Sequence, residues 1–246
     1  MTISTALPPE TQAALDLAAG ALKKTLGENL HSLVLYGSAV RGNLLPKVSD
    51  LNLLIILEES TPEAHAAIAG AIRGPVRIEP FILGRALLAR SLQAFAVKFL
   101  SIRRNYRVLH GADPFANLTI DESLARFLCE QQLRNVRLRC VRAFVVLGDD
   151  RPRYSGFLAR MTSAIFTSLA EGLRRTGLEI PRAFEERIPL FEKSFGADAS
   201  VLRTLIELKA SARTLSVDET KQVHARLFKL LDAAVRWMEA QWPSLR

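Results

Sequence analysis

An α+β chain, with a mixed α/β domain followed by a bundle of helices, is predicted by three observations. Up to about residue 115, strand-like apolar runs alternate with helical patterns. From about Ile120 onward the apolar residues recur only at helical three- and four-residue steps. An apolar content of 49% over 246 residues leaves ample material for one large or two small cores. The boundary is expected near residue 118, giving domains 1–118 and 119–246.

The elements follow in order. Pro9 to Leu26 reads as a helix with apolar positions at Ala13, Leu15, Leu17, Ala18, Leu22 and Leu26, stopped by Gly27. Ser32 to Tyr36 reads as a strand, and Asp50 to Leu57 as a second one, apolar enough to be buried on both faces. Thr61 and Pro62 start a helix to about Ile72, which Gly74-Pro75 breaks. A third strand is expected over Val76 to Leu83, where Pro80 suits an edge or a strand end. One or two helices span Arg85 to Ile102, and Tyr106 to Leu109 forms a short edge strand. The later helices are expected at Glu122–Leu147, Gly156–Arg175, Pro181–Lys193, Ala199–Ala212 and Asp218–Trp242. In the first of these, Phe127, Leu128, Leu138, Phe144 and Val145 read as core.

Composition narrows the function classes. The longest uninterrupted apolar run, Leu53 to Leu57, is far short of the ~18 residues of a membrane span, and no signal-peptide layout opens the chain. A cytoplasmic protein without membrane association is expected. A net charge of +8 attracts anions but does not choose among nucleic acid, anionic membrane and phosphorylated small molecules. No basic cluster interleaved with aromatics and no zinc-finger spacing appears, which argues against nucleic acid as the partner. Cys129 and Cys140 lie in one expected helix, 11 residues and so about 16 Å apart, too far for a disulfide. They read as buried thiols.

The stretch Val34 to Leu57, VLYGSAVRGNLLPKVSDLNLLIIL, concentrates the chemistry. Gly37 lacks a Cβ, so backbone amides can approach phosphate oxygens there, and Ser38 adds a hydroxyl donor. Arg41 could give a phosphate two more donors. Strand alternation places Asp50 and Asn52 on one face, with Leu51 and Leu53 on the other.

This pattern resembles the nucleotide-binding signature of the polymerase-β-like nucleotidyltransferase superfamily: an apolar strand, Gly-Gly/Ser, about ten residues, then Asp-x-Asp/Glu. The minimal and aminoglycoside-type members, which carry a C-terminal helical domain, are the nearest in layout. The resemblance covers roughly residues 10 to 115 and implies a mixed sheet with flanking helices, an NTP donor and Mg²⁺. It implies metal ligands at Asp50, Asn52 and Glu79, the last from VRIEPF on a neighbouring strand, with Asp50 and Glu79 catalytic and Glu79 helping to deprotonate the acceptor. Gly37, Ser38 and Arg41 would hold the nucleotide. One position departs from the pattern: Asn52 stands where a second carboxylate is expected, and an amide oxygen can coordinate Mg²⁺ but brings no charge.

The segment YRVLHGADPF resembles the closing strand and loop near the domain boundary of aminoglycoside-type members, with His110 read as structural. Arg134, Arg137, Arg139 and Arg142 lie on the kind of helix that faces the cleft in two-domain members, so a subset could meet a phosphate or an acidic acceptor. Glu130, one turn earlier, is an alternative base.

Two readings follow. In the first, a nucleoside monophosphate passes from an NTP to a hydroxyl of a small molecule or a protein, with catalysis impaired by Asn52. In the second, an inactive protein of the same fold binds nucleotide or a partner chain. A basic nucleic-acid module is a third and less supported reading, and a homo-oligomer stays open.

Overall fold

The structure is a computed structural model that describes residues 7–41, 50–117 and 119–242; of Arg41, Ala89 and Leu92 the backbone alone is described. The chain divides into two compact units, Met1–Ile120 and Asp121–Arg246.

The first unit is built on a four-stranded sheet of β1 (Leu30–Tyr36), β2 (Leu51–Leu57), β3 (Ile78–Gly84) and β4 (Tyr106–Gly111), in the order β3-β2-β1-β4. β1 runs antiparallel to both β2 and β4, and β2 runs parallel to β3. The parallel step needs a crossover, which α3 (Pro62–Ala71) supplies. Its start is fixed by Thr61, whose hydroxyl accepts from the Ala64 amide at 3.2 Å, and by Pro62 in the first turn.

The period of two in β2 explains its nearly unbroken apolar sequence. Leu51, Leu53, Ile55 and Leu57 pack with Leu15 and Leu22 of α1 (Pro9–Leu26) and Ile68 of α3. Leu54 and Ile56 face the other way, with Val34, Tyr36, Phe115 and Phe99 and Ile102 of α5 (Ala96–Arg104). At roughly 1.5–3 kcal/mol for each Leu or Ile removed from water, both layers depend on this strand. β3 starts at Ile78 and not at Val76, and its Pro80 is tolerated because β3 is an edge. α4 (Arg85–Ala94) and α5 follow as two helices joined at Phe95. On α1, Leu17 is 74% exposed: it lies off the buried stripe of Leu15, Ala18, Ala19, Leu22 and Leu26.

The second unit consists of α6 (Glu122–Leu147), α7 (Arg151–Arg174), α8 (Phe184–Phe195), α9 (Val201–Ser211) and α10 (Val217–Gln241) around one core containing Leu158, Phe166, Phe191, Leu205 and Leu230. Two helix starts differ from expectation by three residues or more. α7 begins inside the expected break GDDRPRYSG, because Asp150 caps it by accepting from the Arg153 amide and Pro152 suits a first turn. α8 begins at Phe184 because the preceding carbonyls of Pro181 and Arg182 are held by the Arg187 guanidinium at 2.7 and 2.9 Å. The expected core of α6 is corrected as well. Phe127, Leu138 and Val145 are 47%, 59% and 76% exposed, because the buried stripe is Ala125, Cys129, Leu133, Val136, Cys140 and Ala143. Cys129 and Cys140 are free and buried, and burial pushes the Cys140 thiol up to about 11. Among the described residues, no helix is long and apolar enough to cross a membrane.

Candidate functional site

Sheet register assembles the site. Tyr36 on β1 pairs with Asn52 on β2, and Asn52 pairs with Glu79 on β3. On the other flank Tyr36 pairs with Tyr106 of β4. Directly paired residues share a face, so Tyr106, Tyr36, Asn52 and Glu79 form one rung across all four strands.

Around that rung the backbone is shaped for close approach. Gly37 follows β1 directly with φ +86°, a conformation that side chains with a Cβ rarely adopt, and α2 (Ser38–Arg41) begins at the next residue. A Cβ at Gly37 would stand 3.1 Å from Asn52 Nδ2, so the glycine makes room for that amide. Asn52 Nδ2 donates to the Asp50 carbonyl at 3.3 Å, tying the amide to the strand entry. Ser38 is half-buried, and α2 packs against β1 and β2. The Arg41 side chain lies outside the described residues.

Asp50 and Glu79 are joined through a residue that sequence reasoning missed. Arg77 Nε lies 3.6 Å from Asp50 Oδ1, and Arg77 Nη2 lies 3.6 Å from Glu79 Oε2. Alternation along VRIEPF puts residues 77 and 79 on one face, which is the signal that could have found it.

Lys98 is a second addition, and no local pattern marks it. It reaches from α5 to within 5.0 Å of the Tyr36 ring centroid and 5.6 Å of that of Phe81. Crowding around its ammonium lowers its pKa and Glu79 opposes that shift, although the side chain as a whole keeps access to solvent. Burial raises the Tyr36 phenol, with a further push from Glu79. Glu79 thus acts on both the Lys98 ammonium and the Tyr36 phenol.

Other expected residues are placed elsewhere. His110 pairs with Leu33, toward the opposite end of the sheet. The HGADPF loop is held by Asp113, which accepts from Tyr106 Oη at 2.7 Å and from the Phe115 amide at 2.8 Å. Burial, then Asp113, pushes Tyr106 up to about 12. In the helical unit, Arg134 pairs with Glu130 and with Glu239 of α10, and Arg137 with Asp232. The contacts of Arg134 with Glu239 and of Arg137 with Asp232 hold α6 to α10, Glu130 pairs with Arg134 within α6, and Arg139 and Arg142 are exposed.

As a metal site, the donor set is hard but short of charge. Two carboxylates and one amide oxygen suit one divalent ion completed by phosphates and waters, and a second ion would lack its carboxylate. Among the described residues, no group of three or more His, Cys, Asp and Glu side chains could hold a metal.

No protein-family model matches this chain, and no curated protein matches it. Among solved structures, a spectinomycin adenyltransferase from Enterococcus faecialis, determined with ATP and spectinomycin, is similar with a TM-score of 0.59 at 16% sequence identity. The match covers 91% of this chain and 98% of that one. A likeness at that identity is a likeness of fold: the mixed four-stranded sheet with flanking helices and the C-terminal helices are those of the nucleotidyltransferase fold.

Proposed function

We propose that this chain is a nucleotidyltransferase-type protein that binds an NTP at the Gly37–Asn52–Glu79 end of the sheet. The single observation that carries the reading is the in-register pair of Asn52 and Glu79, with Asp50 at the strand mouth and a left-handed Gly37 against Asn52. The fold shared with a protein determined with ATP supports the choice of ligand. The same protein was determined with spectinomycin, which favours a hydroxylated small molecule as acceptor over a protein side chain.

In this reading Gly37, Ser38 and Arg41 orient the polyphosphate, and Asp50 and Glu79, with the Asn52 amide oxygen, would hold Mg²⁺. When bound, that ion would offset the charge of the polyphosphate and of the departing pyrophosphate. Glu79, more exposed than Asp50 or Asn52, takes the proton of the acceptor hydroxyl. The acceptor oxygen bonds to the α-phosphorus as the bond to the bridging oxygen of the β-phosphate breaks, and pyrophosphate departs. Lys98 sits where it can attract phosphate oxygens to the same face.

A second reading, binding without turnover, is favoured by one specific feature: the site has two carboxylates and an amide, with an arginine already between the carboxylates. Calorimetric titration with each NTP, with and without Mg²⁺, tests what the two readings share. Both expect binding of at least one NTP that Mg²⁺ tightens and that Asp50→Ala abolishes, whereas no heat with any NTP sinks both. Pyrophosphate release over a panel of hydroxylated acceptors then separates enzyme from binder.

A further inference from the structure

The end of the sheet that carries Asp50 and Glu79 carries a cation of its own. β2 and β3 enter side by side there, with the Leu51 amide donating to the Arg77 carbonyl at 2.9 Å, so Arg77 is held next to the strand mouth. Its guanidinium spans both carboxylates, 3.6 Å from an oxygen of each. Those distances exceed a good hydrogen bond, and the Arg77 side chain is 71% exposed. Contacts of this kind hold an ion pair loosely and exchange readily. Lys98 does not compete for the position, because its ammonium lies over the rings of Tyr36 and Phe81.

Resting on the nucleotide-site reading above, we propose that Arg77 is a nucleotide-gated counter-ion. In the free protein it neutralises Asp50 and Glu79 and repels an arriving dication. When an NTP enters, the guanidinium fork turns to a phosphate, which it can grip through two donors, and the carboxylates are left to the metal. With Asn52 in place of an acid, the site has too little negative charge to hold both Arg77 and a divalent ion at once. The incoming polyphosphate supplies the missing anions. Metal and nucleotide therefore bind with positive coupling, and the coupling is reciprocal.

The probe is Mn²⁺, followed by the loss of its free-ion EPR signal, with the wild-type chain, Arg77→Met and Arg77→Lys, each with and without ATP. Arg77→Met is expected to bind Mn²⁺ alone on the order of tenfold more tightly, the effect of removing one positive charge a few ångströms from a dication. The enhancement of Mn²⁺ binding by ATP should shrink by a similar factor. Arg77→Lys, which keeps the charge but cannot span two carboxylates, should fall between. In an Asp50→Asn background the Arg77→Met effect should vanish, which locates it at this site. If wild type binds ATP but Arg77→Met leaves Mn²⁺ binding unchanged or weaker, the role of Arg77 is overturned and the nucleotide site stands. Absence of ATP binding by wild type overturns both.

Discussion

The two ends of β2 carry charged clusters built on opposite principles. At the end beyond Leu57, Glu58 accepts from Arg85 Nη1 at 3.0 and 3.1 Å and lies 2.8 Å from His31 Nδ1. Nearby, the Asn29 side chain both donates to the Glu59 carbonyl and accepts from the Glu59 amide. At the Asn52 end, Arg77 reaches its two carboxylates only at 3.6 Å. Short paired contacts close the first cluster on itself. The looser second cluster leaves its donors and acceptors able to exchange with a ligand, as the proposed nucleotide site requires.

Each end also holds a glycine in the left-handed region, and substituting them gives the largest expected effects. Gly111, at φ +74°, pairs with Ser32, and a Cβ there would run into the His31 carbonyl oxygen, a backbone atom that cannot turn away. Gly111→Ala should cost about 3 kcal/mol, combining left-handed strain with forced overpacking, read as a lower urea midpoint. Gly37→Ala meets a side chain that can rotate, so its stability cost should be closer to about 1–2 kcal/mol. Its larger effect should fall on NTP affinity, because the Asn52 amide is what must move. Equal loss of affinity in the two variants would break the contrast between the ends.

Charge at the site end gives the next effect. Asn52→Asp places a carboxylate directly across from Glu79 in the parallel ladder, where like charges repel. Without Mg²⁺ the urea midpoint should fall. With Mg²⁺ and NTP the same change should tighten nucleotide binding by roughly tenfold and raise pyrophosphate release. A midpoint that ignores Mg²⁺ would show that residue 52 does not face the metal. Lys98→Met should weaken NTP binding by a smaller factor, about three- to tenfold, through loss of one cation near the phosphates. Unchanged affinity would leave Lys98 as packing over Tyr36 and Phe81.

Much of this arrangement was legible in the sequence where chemistry and periodicity coincide. The alternation of Leu51 to Leu57 fixes which residues face each layer, and the shared face of Asp50 and Asn52 and the glycine at the end of the first apolar run follow from local pattern. Glu79 needed the resemblance to a family, because nothing local says that β3 lies parallel to β2 in the register that brings residue 79 to residue 52. Lys98 and Tyr36 escaped because their proximity is made by packing α5 onto the sheet, a contact between residues 62 positions apart that no spacing encodes. In α6 the failure was of another kind. A helix with apolar residues on several sides does not announce which stripe is buried, so Phe127, Leu138 and Val145 looked like core.

The smallest effect belongs to the closed cluster. Glu58 has its pKa held below the ordinary carboxylate value, first by Arg85 and then by His31. A carboxylate depressed in the folded state contributes stability that is fully present above its unfolded pKa, about 4.3, and is lost as pH falls through the lower folded value. The difference in urea midpoint between wild type and Glu58→Gln should therefore be present throughout the range where the Glu58 carboxyl is ionised. It should narrow below about pH 4.3 and close once the folded-state carboxyl is protonated. Because the cluster is open to solvent, the gap should also shrink with salt. A gap that widens as pH falls below about 4.3, where Glu58 itself takes up its proton, would mean that Glu58 is strained and not stabilised by its partners. The contrast between a closed structural end and an open binding end would then fail at the closed one.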